Sequence, residues 1–285
     1  MLTSLLLERA AAMGIPLSEA QAGQFNTYHE MLVEANARMN LTRVPEDPAE
    51  AVDRNYLDCI SPLAGGFPAV ASAVDVGSGA GFPGIPLAIM LPGMRFTLMD
   101  ALGKRVDFLR TVIDRLGLNA VALHLRAEDA ARQEDLREGF DLAVARAVAP
   151  MNVLCEYLLP LVKVGGHMLA LKGPGVDEEL AQAENALHLL GGKVERVQPL
   201  VIPGRDWDHR AAWIAKAAPT PRKYPRRAGT VEKRPLERLI CRGDGKGSPI
   251  GPSGHFPTAV GKRKKQLGGL NSFPTAVGKY PRSGG

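Results

Sequence analysis

The chain has 285 residues, 45% of them hydrophobic and 23% charged, and a formal net charge of +5. That size allows one good α/β core with a smaller appendage. No stretch approaches the ~18 apolar residues that a bilayer-spanning helix needs, and Met1–Leu7 carries no basic leader and meets Glu8 at once. Neither an anchor nor a signal peptide is therefore expected, and the expected location is cytoplasmic. Cys59, Cys155 and Cys241 stand far apart and the six histidines are scattered, which argues against a disulfide framework and against a metal site.

Charge is divided unevenly along the chain. Residues 1–218 hold 20 Lys and Arg against 27 Asp and Glu, whereas residues 219–285 hold 15 against 3. An acidic body with a basic tail points to a nucleic-acid partner rather than a membrane. The tail also has 12 Gly and 9 Pro in its 67 residues, too little apolar surface to offset the entropy of ordering, so most of it is expected to be disordered. Phe256–Lys262 recurs identically at Phe273–Lys279, but two copies do not make a solenoid.

From the N-terminus, Ser18 and Gln21 form a capping box ahead of Phe25, Tyr28, Met31, Leu32 and Ala35 at helical spacing, and Asp47-Pro48-Ala49-Glu50 reads as a second helix start. Asn40, between them, reads as the end of the first helix. Residues 1–70 are thus a helical cap, 71–218 a sheet domain, 219–237 a basic segment and 238–285 a Gly/Pro-rich extension.

The most informative stretch is 74–84, where an apolar strand ending in Asp75 enters a turn with Gly77, Gly79, Gly81 and Gly84. Glycine has no Cβ and tolerates positive φ, so this turn is expected to bring backbone against a nucleotide-type cofactor. Gly79, Gly81 and Gly84 also satisfy the dinucleotide pattern G-x-G-x-x-G. Asp75, however, would face a pyrophosphate unfavourably and suits the cationic amino-acid end of S-adenosylmethionine.

Downstream, strand Arg95–Met99 ends at Asp100, where doubly wound folds place an acid that bonds ribose hydroxyls. Helix Lys104–Leu116 shows Val106, Leu109, Ile113 and Leu116 on one face and stops at Gly117. Strand Val121–Leu125 leads to Arg126-Ala127-Glu128-Asp129, where a backbone amide and a carboxylate can edge an adenine ring; the plain alternative is a capped helix start. Phe140–Ala145 and His167–Leu171 give strands four and five, and Val194–Val201 with Ala211–Ala217 a terminal hairpin. The expectation is a seven-stranded, mostly parallel, Rossmann-like α/β sheet. A nicotinamide enzyme would usually add a substrate domain for which the chain has no room.

Asn40-Leu41-Thr42, Asp75–Gly79 with Gly81–Pro86, Leu102–Arg105, Arg126-Ala127-Glu128, Arg146-Ala147, Lys172-Gly173 and Arg222–Arg226 together resemble the bacterial RsmG (GidB) family. The resemblance spans roughly residues 5–236 and implies a class I S-adenosylmethionine-dependent methyltransferase acting on N7 of one guanosine, position 527 in the usual numbering of 16S ribosomal RNA. It further implies that Gly77, Phe82, Ala127, Glu128 and Arg146 touch S-adenosylmethionine, with Asp100 as an addition. Asn40, Lys172, Arg222, Lys223, Tyr224 and Arg226 are the expected contacts to 16S rRNA, as free RNA, small subunit or assembly intermediate. The family usually carries Arg-His-x-x-Asp-Ser in the cap, where this chain has Arg54-Asn55-Tyr56-Leu57-Asp58-Cys59. Guanine N7 has an in-plane lone pair and no proton, so the absence of an obvious general base agrees with this chemistry, and Arg146 is the expected positioning residue, able to bond the cofactor carboxylate or the guanine O6. A non-catalytic RNA-binding assembly factor and a different nucleotide-cofactor (NAD-type) enzyme are the alternatives.

Overall fold

In the computed structural model, which describes residues 2–146 and 149–237, the chain begins with the helices that its apolar spacing predicts. Helix α1 (Leu2–Ala12) precedes α2 (Glu19–Met39), whose Ser18 hydroxyl accepts from the Gln21 amide at 3.2 Å while Gln21 Oε1 accepts from the Ser18 amide at 3.0 Å. Asn40 closes α2 in the left-handed conformation, φ 47°. Asp47 caps α3 (Pro48–Ala51) by accepting from Ala49 and Glu50, and the chain continues through a π-helical turn, Val52–Leu57, into α4 (Asp58–Ile60).

Strand β1 (Ser72–Val76) is followed by α5 (Gly84–Met90), β2 (Arg95–Asp100), α6 (Gly103–Leu116), β3 (Ala120–His124), α7 (Ala127–Ala130), β4 (Phe140–Arg146) and α8 (Met151–Leu158). Then come β5 (Val162–Lys172), α9 (Val176–Gln182), α10 (Glu184–Leu190), β6 (Gly192–Leu200), β7 (His209–Lys216) and α11 (Thr230–Lys233). The sheet runs β3-β2-β1-β4-β5-β7-β6. Its first five strands are parallel, and β7 lies antiparallel to both β5 and β6. The order reverses between β1 and β4, the switch point at which open α/β sheets bind ligands.

The two-residue period of the strands divides the core between the two faces of the sheet. Phe96, Leu98, Leu142 and Val144 pack with the cap helices, α5 and α6, while Val74, Val76, Ala143 and Ala145 pack with α7, α8 and α10. The α6 stripe is as predicted, with Val106, Leu109 and Ile113 buried and Gly117 left-handed at φ 61°. No helix among the described residues is long and apolar enough to cross a membrane.

The segment after β7 is fastened beside the starts of β4 and β5. Buried Lys216 donates to Leu159 O at 2.8 Å, to Leu190 O at 3.2 Å and to the Thr220 hydroxyl. Arg137 donates to Thr220 O at 2.7 Å and to Tyr224 O at 2.9 Å. Arg226 grips the fully buried Glu156 of α8, with Nη2 at 2.6 Å and Nε at 2.9 Å from its carboxylate oxygens. The repeat, the Arg263–Lys265 run and Cys241 lie outside the described residues, as does the whole 238–285 extension that was expected to be disordered.

Candidate active site

The glycine turn does two jobs, only one of which the sequence suggested. Gly77 and Gly79 are left-handed, at φ 71° and 59°, and a Cβ on Gly79 would meet nothing nearer than the Gly77 carbonyl oxygen at 3.9 Å. This part of the turn offers open backbone. Gly81 and Gly84 instead face protein: a Cβ on Gly84 would run into Leu98 and Asp75, and one on Gly81 into Ile85 and the Tyr28 hydroxyl. Those two glycines allow α5 and the cap to close on the sheet, which corrects the expectation that all four face a ligand.

Asp75 is likewise more internal than its position suggests. It is fully buried, and Oδ2 accepts from the Gly84 amide at 2.9 Å, while Oδ1 has no partner among the described residues. Burial pushes its carboxyl up to about 7, against the opposing hydrogen bonds from Ser78 and Gly84. A folded pKa above the unfolded value near ~3.9 stabilises the fold fully below about pH 4, and that contribution is lost as pH rises through about 7. The Tm of the ligand-free protein should therefore fall from pH 5 to pH 8 by more than that of Asp75→Asn. Parallel curves for the two proteins would show that Asp75 is ionised throughout.

The carboxyl edge of the sheet carries a row of functional groups in spatial order. At the end of β3, Ala127 and the buried Glu128 open α7, and the Glu128 carboxylate accepts no hydrogen bond among the described residues. Asp100, at the end of β2, accepts from the Gly79 amide and the Leu102 amide, both at 2.9 Å. Phe82 is buried against Tyr28 and Tyr56, with the Arg146 guanidinium 4.6 Å above its ring. An orphaned Asp75 oxygen, a free Glu128 carboxylate and the open Gly77–Gly79 backbone fit a ligand that brings a cation at one end and hydrogen-bond donors at the other.

Beyond β1 the edge opens into a cavity of about 640 Å³, walled by Arg43, Arg54, Asn55, Asp58, Arg146, Lys172, Glu179 and His209, among others. The π-helical turn delivers Arg54 and Asn55, the end of β4 gives Arg146, the end of β5 gives Lys172, and the start of β7 gives His209. Asp58 ties the wall together: Oδ1 contacts His209 Nδ1 at 2.8 Å and Oδ2 accepts from Arg146 Nη1 at 3.3 Å. The Asp58 hydrogen bond raises the pKa of His209. Four permanent cations face two carboxylates here, a balance that suits a phosphate-bearing ligand.

Of the expected site residues, the structure brings Arg146 and Lys172 into this wall. The Lys172 ammonium is already engaged by Ala149 O and Glu179 Oε2, both at 2.6 Å. Asn40 is exposed outside the wall, although Thr42 and Arg43 just after it belong to it. Arg222, Lys223, Tyr224 and Arg226 are absent from the wall. Arg226 is committed to Glu156 and to Arg234 O, and Tyr224 is buried with Lys223 over its ring at 5.3 Å. The reading of Arg226 and Tyr224 as phosphate and stacking contacts is therefore corrected to an internal anchor, leaving Arg222 and Lys223 exposed.

Sequence reasoning did not reach Asp58, Glu179 and His209. Asp58 and His209 are 151 residues apart, and no local pattern joins them. No group of three His, Cys, Asp or Glu able to hold a metal occurs among the described residues.

The family model for rRNA small subunit methyltransferase G matches residues 21–206. The chain belongs to that family. The ribosomal RNA small subunit methyltransferase G of Lactobacillus johnsonii is 48% identical over 231 residues, covering 79% of this chain and 96% of that protein. A relative of the same name from Clostridium perfringens is 43% identical over 235 residues, covering 81% and 98%. Among solved structures, a TehB-like SAM-dependent methyltransferase from Corynebacterium glutamicum aligns with a TM-score of 0.43 at 16% identity, covering 66% of this chain and 98% of that one. Membership of the methyltransferase G family sets aside both alternatives, the nicotinamide enzyme and the non-catalytic assembly factor.

Proposed function

We propose that this protein transfers a methyl group from S-adenosylmethionine to N7 of one guanosine of 16S rRNA, at position 527, in the bacterial cytoplasm. The observation that carries the reading is the division of the carboxyl edge at the β1/β4 switch point, with open glycine backbone on one side and a cationic cavity on the other. The cap (1–70), the methyltransferase domain (71–218) and the basic segment (219–237) are the working parts, the first two closing this edge between them.

S-adenosylmethionine, when bound, supplies the electrophilic methyl. On this reading Glu128 and the Ala127 amide hold the adenosine end, the Asp100 carboxylate shares its remaining lone pairs with ribose hydroxyls, and the Gly77–Gly79 backbone with Asp75 faces the amino-acid end. The chain's part in methyl transfer to N7 is positioning and electrostatics, because the acceptor carries no proton to remove. Arg146, fixed by Asp58 and stacked on Phe82, borders both halves and orients cofactor and base together. Arg43, Arg54 and Lys172 neutralise the RNA backbone around the target.

Arg146→Ala tests this. Loss of a charge-assisted hydrogen bond costs about 1.5–3 kcal/mol, so methylation of small subunits should fall by roughly one to two orders of magnitude while RNA affinity stays within a few-fold. Mapping of the methylated nucleotide in RNA from cells lacking the protein must show one missing mark, at a guanosine N7. Full methylation by the variant together with weakened RNA binding would move Arg146 to the RNA surface.

A further inference from the structure

Within the cavity wall the hydrogen-bonding accounts nearly close. Arg146 Nη1 donates to Arg54 O and Asp58, Lys172 to Ala149 O and Glu179, and Arg54 Nε to Glu50. One buried group is left over. Asn55 is 2% exposed, and its Nδ2 has no acceptor, the single buried side-chain atom of this wall so orphaned among the described residues. An unpaired buried donor costs stability, and such a cost persists where a ligand supplies the missing acceptor.

Guanine supplies one beside the reacting atom. Its Hoogsteen edge presents two acceptors, N7 and O6. N7 must stay bare to attack the methyl, which leaves O6 as the atom a donor can hold. Adenine would present an amino group at the same place, donor against donor, and be rejected. The ring acquires positive charge as N7 is methylated, so a neutral amide is a better neighbour for it than another cation in a wall that already holds Arg43, Arg54, Arg146 and Lys172.

We propose that Asn55 is a specificity-determining residue of the acceptor pocket, its Nδ2 donating to O6 of the target guanine once the amide turns toward the cavity, because Nδ2 itself has no free surface in the wall as it stands. The proposal rests on the methyltransferase reading above and adds to it which atom of the base is read and by which side chain. A residue that only supported the fold would behave differently. Removal of an unpartnered buried amide should leave the Tm unchanged or raised, whereas removal of a packing residue lowers it.

The test is a two-by-two comparison with the full-length protein. Small subunits are assembled with 16S rRNA carrying either guanine or 2-aminopurine, which keeps N7 but lacks O6, at the methylated position. Wild-type protein should methylate the 2-aminopurine subunit about tenfold more slowly than the guanine subunit. Asn55→Ala should be about tenfold slower on guanine and lose nothing further on 2-aminopurine, with cofactor affinity and Tm retained; the coupling between the two changes is the signature of a direct contact. Asn55→Asp, which keeps the shape and exchanges the donor for an acceptor, should show the same coupling and decides the matter if the Ala variant is unstable. Losses that multiply independently, or full activity of Asn55→Ala on guanine, would overturn the proposal. Failure of the wild-type protein to methylate the guanine subunit would instead remove the reading on which it rests.

Discussion

Replacement of Arg226 by Ala should destabilise the protein by about 3–5 kcal/mol, the range found when one partner of a buried ion pair is removed, or roughly 10 °C in Tm for a chain of this size. Glu156 is fully buried, and Arg226 supplies its backbone amide, Nε and Nη2 to that carboxylate. Without the guanidinium a carboxylate is left inside α8 with one amide to hold it. Arg222→Ala, by contrast, alters an exposed side chain and should stay within about 0.5 kcal/mol. Thermal melts of the two variants decide the matter: equal Tm values would return Arg226 to the RNA-contacting surface that the basic run first suggested.

The second large effect concerns the cofactor. Gly79→Val places a β-branched side chain at φ 59°, where L-residues pay about 1–2 kcal/mol, and aims it into the open space before the Gly77 carbonyl. Calorimetric titration with S-adenosylmethionine should show affinity lower by about a hundredfold or more, equivalent to about 2.7 kcal/mol, with the fold retained. Gly84→Ala makes the contrast, because its Cβ meets Leu98 and Asp75: it should lower the Tm first and the affinity only as a consequence. Unchanged affinity in Gly79→Val would dismiss the glycine turn as a cofactor cradle.

The sheet was legible because its signals are local. The α6 stripe, the left-handed Gly117 and Asn40, the Ser18 capping box and the antiparallel hairpin each depend on residues a few positions apart, and each is found where the sequence puts it. The cavity wall was only half legible. Arg146 and Lys172 could be placed because each ends a strand at the ligand-binding edge. His209 meets Asp58 across the cap and Arg226 meets Glu156 across 70 residues, and side-chain pairing at that range leaves no periodic trace. The glycines misled in part for the opposite reason: a missing Cβ serves close protein packing at Gly84 and open backbone at Gly79, and composition does not tell the two apart.

The π-helical turn at Val52–Leu57 has a further consequence for how the cap tolerates length changes. The Asp58 amide reaches back five residues, to Asp53 O, so this stretch holds one residue more than an α-helix of the same span would. Deletion of a single residue from it would let the turn relax to ordinary four-residue bonding over the same span, so that α3 and Asp58 keep their phase and only the residues inside the turn are re-aimed. The losses would be local ones, the place of Arg54 in the wall and the aromatic contacts of Tyr56 with Phe25 and Tyr28. A one-residue deletion within α2, which holds no such extra residue, would turn one part of that helix by about 100° against the other and should be far more damaging. The cap thus carries its tolerance of a lost residue between Val52 and Asp58.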